Sequence, residues 1–198
     1  QGLTVMAGGI LCGFVGNTLH FSEPYLPNAW NPTYQIALEY DVIGVESAGN
    51  SLIVGTTQNP YLIDGSRPDS LLPIKLAFNQ PCVSKRGMIA VGNAVYYPGS
   101  DGMVAIQQGQ ANLITKDLYT RAQWNELNPS TMMCGTWDRN IYMFLEDNTL
   151  IMDIENRGTS ITTSDERAQG ILTYYDSMYL VQDSYIYEWG RGDTIKYL

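Results

Sequence analysis

The chain has 198 residues, a formal net charge of -9 from 20 acidic and 11 basic residues, and a hydrophobic fraction of 44%. This hydrophobic fraction excludes a disordered tail, and the length allows one domain with a substantial core. Because the net charge is negative and the basic residues are few and scattered, we expect no direct nucleic-acid binding through a basic face. No apolar stretch reaches the ~18 residues of a spanning helix, so we expect no membrane insertion.

The first unusual segment, at residues 22–30, reads SEPYLPNAW. Its prolines rule out a helix or a central strand. A partial echo, NPYLIDGSRP, follows at residues 59–68. The large apolar side chains of the two segments are candidate interface or ligand residues: Tyr25, Leu26, Trp30 and Tyr61. They could pack over the domain itself, dock a neighbouring subunit or stack on a sugar.

A repeated pattern runs through the whole chain. Five segments each contain an apolar strand, a two-residue turn and a second apolar strand, and most continue into a third. The predicted turns are Gly16-Asn17, Gly49-Asn50, Gly92-Asn93, Arg139-Asn140 and Asp176-Ser177. Gly and Asn supply the positive φ that tight hairpins require. A spacing near 40 residues with several short strands per unit is typical of propeller blades, so we predict an all-β, five-repeat β-propeller-like domain. A β-sandwich is the alternative fold.

The strand before each turn is rich in small residues, which suits the crowded centre of a propeller. The predicted innermost strands are ILCGFV, VIGVES, GMIAV, TMMCGTW and QGILTYY. We interpret residues 1–198 as a single domain, either excised from a longer protein or closed into a ring by GLTVMAGG pairing with the last repeat.

One helix interrupts the strands. In TKDLYTRAQWNELNP, at residues 115–129, Thr120 precedes Gln123 by the spacing of a capping box, and a proline closes the segment. We expect a helix of one or two turns against the third or fourth repeat. Its predicted buried side is formed by Leu118, Trp124 and Leu127.

Residues that could carry chemistry are few. Cys12, Cys82 and Cys134 lie in apolar contexts without metal-ligand spacing, and we expect buried thiols. His20 alternates with apolar neighbours, and no GxSxG motif occurs. Glu46 is the only acid on a predicted inner strand, whereas glycoside hydrolysis needs a pair of carboxylates. We therefore expect no enzyme, no catalytic residues, no metal and no cofactor.

Several segments resemble, in order, parts of the tail tubular or nozzle proteins of short-tailed bacteriophages and related prophages. They are FSEPYLPNAW, NPYLIDGSRP, QPCVSKRGMI, AVYYPGSDGMVAI and LYTRAQW. The resemblance implies a non-enzymatic structural domain of a virion, made in the host cytoplasm. Its implied partners are other virion or tail proteins, with a homo-oligomeric ring in the full-length protein. A carbohydrate-binding propeller that contacts a host surface glycan is the alternative function, and a five-bladed glycosidase is the third.

Overall fold

The computed structural model describes residues 2–154, 160–190 and 195–196, which form five four-stranded antiparallel sheets. In every sheet the strands lie side by side in chain order. The first sheet contains β1 (Leu3–Met6), β2 (Ile10–Val15), β3 (Thr18–Glu23) and β4 (Leu26–Ala37). The second contains β5 (Val42–Ala48), β6 (Ser51–Thr56), β7 (Tyr61–Asp64) and β8 (Leu72–Lys75). The third contains β9 (Ile89–Val91), β10 (Ala94–Pro98), β11 (Met103–Gln107) and β12 (Gln110–Leu113). The fourth contains β13 (Met133–Trp137), β14 (Asn140–Phe144), β15 (Thr149–Asp153) and β16 (Ile161–Ser164). The fifth contains β17 (Gly170–Tyr174), β18 (Ser177–Gln182), β19 (Tyr185–Glu188) and β20 (Ile195–Lys196).

The sheets are arranged as the blades of an unclosed propeller. The first strands of successive sheets contact one another in order, β1 with β5, β5 with β9, β9 with β13 and β13 with β17. The sheets do not close into a ring. The prediction of an all-β, five-repeat, propeller-like fold is confirmed, and the β-sandwich alternative is wrong because five sheets are present rather than two.

Four hydrophobic cores fill the four spaces between neighbouring sheets. Strand alternation creates them, because successive side chains point to opposite faces of a sheet. On β6, Leu52 and Val54 join the core shared with the first sheet, whereas Ile53 joins the core shared with the third. On β14, Ile141 faces the third sheet and Tyr142 faces the fifth. Each interior sheet is therefore apolar on both faces.

The first repeat is one strand out of phase with the prediction. ILCGFV was expected to be innermost, but it forms β2, and LTVM forms the inner strand β1. The Gly16-Asn17 turn consequently joins the second and third strands of its sheet, whereas Gly49-Asn50 joins the first and second of the next. Pairing of the first residues with the last repeat is also wrong, since β1 pairs with β2. The strong apolar character of β2 concealed the shorter strand before it.

Two predicted turns are displaced by one residue. Trp137 pairs with Asn140, so the turn residues are Asp138 and Arg139, both with positive φ. Tyr174 pairs with Ser177, which makes Tyr175 a turn residue with a φ of 50°. The register of the flanking apolar residues, rather than the preference of Asn or Ser for turns, decides these positions.

The predicted helix is present as α1 (Arg121–Glu126), and the capping box between Thr120 and Gln123 is formed in both directions. Trp124 is fully buried between the third and fourth sheets, and its Nε1 donates a hydrogen bond to the carbonyl oxygen of Gly99 at 2.9 Å. Leu127 is half-buried in the same core. The expectation for Leu118 is wrong, because its side chain is exposed. A short 3-10 turn, Pro68–Ser70, lies between β7 and β8.

The segment QPCVSKR connects the second sheet to sheets further along the fold. Cys82 is buried against Gly55, where any added Cβ would overlap the thiol side chain. The Ser84 hydroxyl donates to the carbonyl of Met132. The Arg86 guanidinium donates to the carbonyl of Gln169, next to the fifth sheet, at 2.7 Å. Packing against Gly55 and these two hydrogen bonds thus tie the segment to the second sheet and to the residues that precede β13 and β17.

We expect Trp124→Ala to lower the free energy of unfolding by about 3–5 kcal/mol, because it empties a core and leaves the Gly99 carbonyl without its donor. Leu118→Ala, six residues earlier and exposed, serves as the control and should change it by less than about 0.5 kcal/mol. Urea unfolding monitored by far-UV circular dichroism, a signal that comes mainly from the backbone, measures both free energies. Equal effects of the two substitutions would contradict the burial described for α1.

Candidate interaction surface

Within the described part of the chain, no other sheet packs against the outer face of the first sheet, which is largely apolar. The pairing register places Leu3 beside Gly13, Gly13 beside His20, and Ser22 beside Trp30, so these residues lie on one face. The opposite face carries Cys12, Leu19 and Phe21 of the core. We define the first-sheet face by Leu3, Val5, Val15, His20 and Trp30. Leu3 is 70% exposed and Val15 is 67% exposed, although both side chains are aliphatic.

A shallow groove of about 630 Å³ crosses the first-sheet face. It is lined by Leu3, Phe14, Val15, His20 and Trp30, with glycines in its floor. The indole Nε1 of Trp30 donates to the carbonyl of Pro27 at 2.8 Å, which holds the ring in place. Trp30 therefore presents a fixed aromatic surface whose only polar atom is already bonded within its own strand. An occupant would contact mainly carbon atoms.

The segment SEPYLPNAW forms the hairpin between β3 and β4 and the first part of β4, the outermost strand of its sheet. This edge position explains why the prolines are tolerated. Tyr25 lies at the tip with a φ of 59°, and its amide donates to the carbonyl of Gly9 at 2.9 Å. The Tyr25 ring covers Gly9, where a Cβ would overlap it. The other side of the ring faces solvent, and the residue is 77% exposed.

The four predicted candidates do not form one site. Tyr25, Leu26 and Trp30 are exposed along one hairpin and edge strand. Tyr61, on β7, is 6% exposed and belongs to the core between the first and second sheets. Leu3, Val5 and Val15 are exposed as well but were not predicted from the sequence. A strand that borders only one core needs only one apolar face. LTVM and ILCGFV are apolar on both faces, and this excess of apolar residues was the sequence signal for an exposed apolar surface.

Glu46 lies on the inner strand β5 and links the first two sheets. Its carboxylate accepts hydrogen bonds from the Thr4 hydroxyl at 3.2 Å and from the Ser47 amide at 3.1 Å. Burial raises the pKa of Glu46, and the two hydrogen bonds oppose that shift. A cavity of about 520 Å³ beside it is also lined by Asp41 and Lys85. Asp41 was not anticipated, because it precedes its strand rather than lying on it.

The remaining candidate groups are held inside the fold or stand alone. The three cysteines are buried and unpaired with one another. Burial raises the pKa of Cys12 and of Cys82 to about 12 and also raises that of Cys134. Within residues 2–154, 160–190 and 195–196, no group of three or more His, Cys, Asp and Glu side chains is placed to hold a metal ion. No helix in the described part of the chain is long and apolar enough to cross a membrane.

Comparison with known proteins identifies the fold. No protein-family model matches the chain, and no curated protein matches it. Similar solved structures include the extracellular domain of a one component system from B. thetaiotaomicron, with a TM-score of 0.64, 11% identity, and coverage of 100% of this chain and 27% of that one. PorZ, a bacterial surface component of the type-IX secretion system of Porphyromonas gingivalis, has a TM-score of 0.61 and 12% identity over 93% of this chain and 26% of its own. A catalytically inactive virginiamycin B lyase from Staphylococcus aureus, solved with quinupristin, has a TM-score of 0.59 and 10% identity over 98% of this chain and 67% of its own.

These structures define the chain as a member of the β-propeller-like fold class. At identities of 10–12%, the likeness concerns the fold alone. The chain spans about a quarter of the length of the first two structures and about two thirds of the third.

The buried thiols should make the fold sensitive to alkali. An unfolded thiol releases its proton near pH 9, whereas Cys12 and Cys82 keep theirs to about pH 12 in the fold. The unfolded state then binds fewer protons, so the free energy of unfolding should fall as pH rises from about 9 towards 12. Each thiol contributes at most about 1.4 kcal/mol per pH unit.

Urea unfolding of the wild type and of Cys12→Ala between about pH 8 and about pH 11 measures this contribution. The variant loses core packing at every pH, but its free energy of unfolding should fall less steeply above about pH 9. An identical slope in both proteins would contradict the assignment of Cys12 as a buried neutral thiol.

Proposed function

We propose that this protein is a non-enzymatic structural domain of a bacteriophage tail that binds other virion proteins through its apolar surfaces. The observation that carries the proposal is the first-sheet face, where Leu3, Val5 and Val15 are exposed although their side chains are aliphatic. A large exposed apolar area on a folded domain marks an interaction site. The tail assignment depends on the resemblance of SEPYLPNAW, QPCVSKR and the accompanying segments to tail tubular or nozzle proteins.

The first-sheet face suits a protein partner better than a small polar ligand. A sugar site needs several converging hydrogen-bond donors and acceptors, whereas the groove beside Trp30 is lined mainly by carbon. Interface cores in protein complexes lack charged residues and contain aromatic anchors. Trp30 provides such an anchor, because its indole nitrogen is already bonded to Pro27 and no polar atom has to be desolvated on binding.

A structural role is also consistent with the groups that the fold buries. The thiols of Cys12 and Cys82 are protonated at neutral pH and cannot act as nucleophiles. Glu46 is engaged by Thr4 and Ser47 in a contact that joins two sheets. The net charge of -9 disfavours contact with a phosphate backbone, so the domain would not retain the genome on its surface. The virion is the proposed location, with synthesis in the host cytoplasm.

Particles purified from the phage or prophage that encodes this sequence should contain the chain. Quantitative mass spectrometry of gradient-purified virions should recover its peptides at several copies per particle, and antibodies against the domain should label one end of the particle in electron micrographs. Host ribosomal proteins serve as the contamination control. Intact, infectious particles without these peptides would contradict the proposal.

Binding of a host surface glycan is the second candidate, and the exposed Tyr25 ring above Gly9 is the observation that favours it. If the domain is a protein-binding module, a glycan array should show no selective binding by the wild type. Any background signal should be the same in Tyr25→Ala and in Trp30→Ala as in the wild type. The exposed variant Leu118→Ala is the matched control. Selective binding to one glycan class that disappears in an aromatic variant would favour the carbohydrate alternative.

A further inference from the structure

A groove lies between the second and third sheets, at the end where three hairpin turns come together. Its volume is about 340 Å³. A Cβ on Gly49, in the turn between β5 and β6, would lie 3.5 Å from Oδ1 of Asn93, in the turn between β9 and β10. A Cβ on Gly109, in the turn between β11 and β12, would lie 3.7 Å from Leu62 of β7. Two turns of the third sheet therefore stand directly beside the second sheet.

This groove, which we call the amide groove, has an aliphatic floor and a polar rim. Ile53 of β6 and Ile106 of β11 belong to the core between the two sheets, and Leu62 packs against that core. The polar residues of the rim come from all three turns and from the first residue of β6. They are Asn50, Ser51, Asn93 and Gln108. The amide-bearing residues among them are exposed, so the groove is open to solvent along its rim.

The side-chain amides of the rim are not used inside the fold. Within the described part of the chain, the side chains of Asn50, Asn93 and Gln108 make no hydrogen bond to another residue. Asn17 also follows a glycine in a hairpin turn, but its Nδ2 donates to the carbonyl of Leu38 at 2.7 Å. The Asn17 amide therefore stabilises its own sheet, whereas the amides around the groove remain available to a ligand.

Gln108 occupies a backbone position that does not favour it. Its φ is 50°, and that of the following Gly109 is 75°. Tight hairpin turns with positive φ at both positions prefer Asn or Gly at the first of them. A glutamine there gives the turn no advantage, but it places an amide in the lining of the groove. An unfavoured backbone conformation that positions a side chain in this way points to a functional role for that side chain.

The amide groove is neutral in a protein of net charge -9. None of the residues that line it is Asp, Glu, Lys, Arg or His. The acidic residues nearest to it along β5 and β7 are Glu46 and Asp64. The carboxylates of both already accept hydrogen bonds from neighbouring groups. The groove consequently offers no counter-charge to an ionic ligand, and its rim suits a ligand that both donates and accepts hydrogen bonds.

We propose that the amide groove binds an extended, uncharged peptide segment of a partner protein. The inference deepens the proposed function and rests on it, since it names the chemistry of one partner contact. Main-chain N–H and C=O groups need partners when they are buried, and a side-chain amide offers both a donor and an acceptor. The side chains of an extended segment alternate, so every second one would point to the aliphatic floor. A charged side chain there would be buried without a counter-ion.

The lining favours a peptide over a sugar. Among the residues that line the amide groove, none is aromatic, so a sugar ring would find no flat face on which to stack. The apolar residues of the lining are alanine, isoleucine and leucine, which are complementary to aliphatic side chains. The aromatic residues that could contact a sugar, Tyr25 and Trp30, lie on the first sheet instead.

The experiment uses the full 198-residue chain and an array of overlapping synthetic peptides that cover the other structural proteins of the purified virions. The wild type should bind a subset of peptides that share an uncharged stretch. For these peptides, fluorescence anisotropy should give a Kd that rises about tenfold in Gln108→Glu, because the substitution removes a donor and buries a charge against the peptide. Asn93→Asp should raise the Kd for the same reason.

The matched control is Gln58→Glu, which makes the same chemical change at an exposed residue beyond the other end of β6. Its Kd should equal that of the wild type. Melting curves verify that the variants are folded, and Ser51→Ala replaces Asn93→Asp if the latter lowers Tm. A Kd that rises equally in Gln58→Glu and in Gln108→Glu would overturn the proposal.

The proposal is also overturned if the array gives no signal, if the bound peptides share a charged stretch, or if neutral oligosaccharides bind at the groove in place of peptides. These results would leave the proposed function standing as long as virions contain the chain, because the first-sheet face would remain as the binding surface. Virions without the chain would instead refute the proposed function, whatever the peptide array shows.

Discussion

The fold depends on covering both faces of every interior sheet. A strand places successive side chains on opposite faces, and in the second, third and fourth sheets both sets are apolar. Such a sheet cannot be stable alone in water, because both apolar faces would be exposed. When two sheets stack, each covers one apolar face of the other. The opposite face of each sheet then still needs a neighbouring sheet to cover it. Within the described residues, the outermost face of the first sheet is not covered in this way, and it holds the exposed side chains of Leu3, Val5 and Val15.

This constraint also explains which side chains are withdrawn from solvent. The side chains between the sheets include all three thiols together with Trp124, Tyr97 and Phe21, and burial keeps the thiols neutral and out of reach of solvent. Hydrogen bonds between sheets use polar side chains at the margins of the cores, such as Thr4 with Glu46 and Trp137 with the carbonyl of Asp176. Thr4, Glu46 and Trp137 are thus already engaged in contacts that hold neighbouring sheets together. The proposed role as a binding module follows from the surfaces that the stack leaves uncovered.

Much of the architecture could be predicted from the sequence because it is encoded locally. Glycine at the first position of the Gly49-Asn50 and Gly92-Asn93 turns, the apolar alternation and the capping box at Thr120 each act within a few residues. The innermost strand of the first sheet could not be predicted. That strand, β1, is short, and the second sheet against which it packs is distant in sequence. Likewise, the residues around Tyr61 resemble those around Tyr25. Tyr61 is nevertheless buried, because the second sheet packs against the first at that position. The exposure of Leu3, Val5 and Val15 was not predicted, because it depends on how the sheets pack and not on the local sequence.

Strand order matches chain order in all five sheets, so no strand has to cross from one sheet to another. Each sheet is consequently a self-contained antiparallel meander whose pairing partners are nearest neighbours along the chain. Duplicating or deleting one meander would alter how far the arc sweeps around its axis without re-threading the polypeptide. Gene duplication can therefore change the number of repeats. The segment QPCVSKR limits this freedom, because its Arg86 donates a hydrogen bond to the residue before the fifth sheet and so fixes the order of the central meanders.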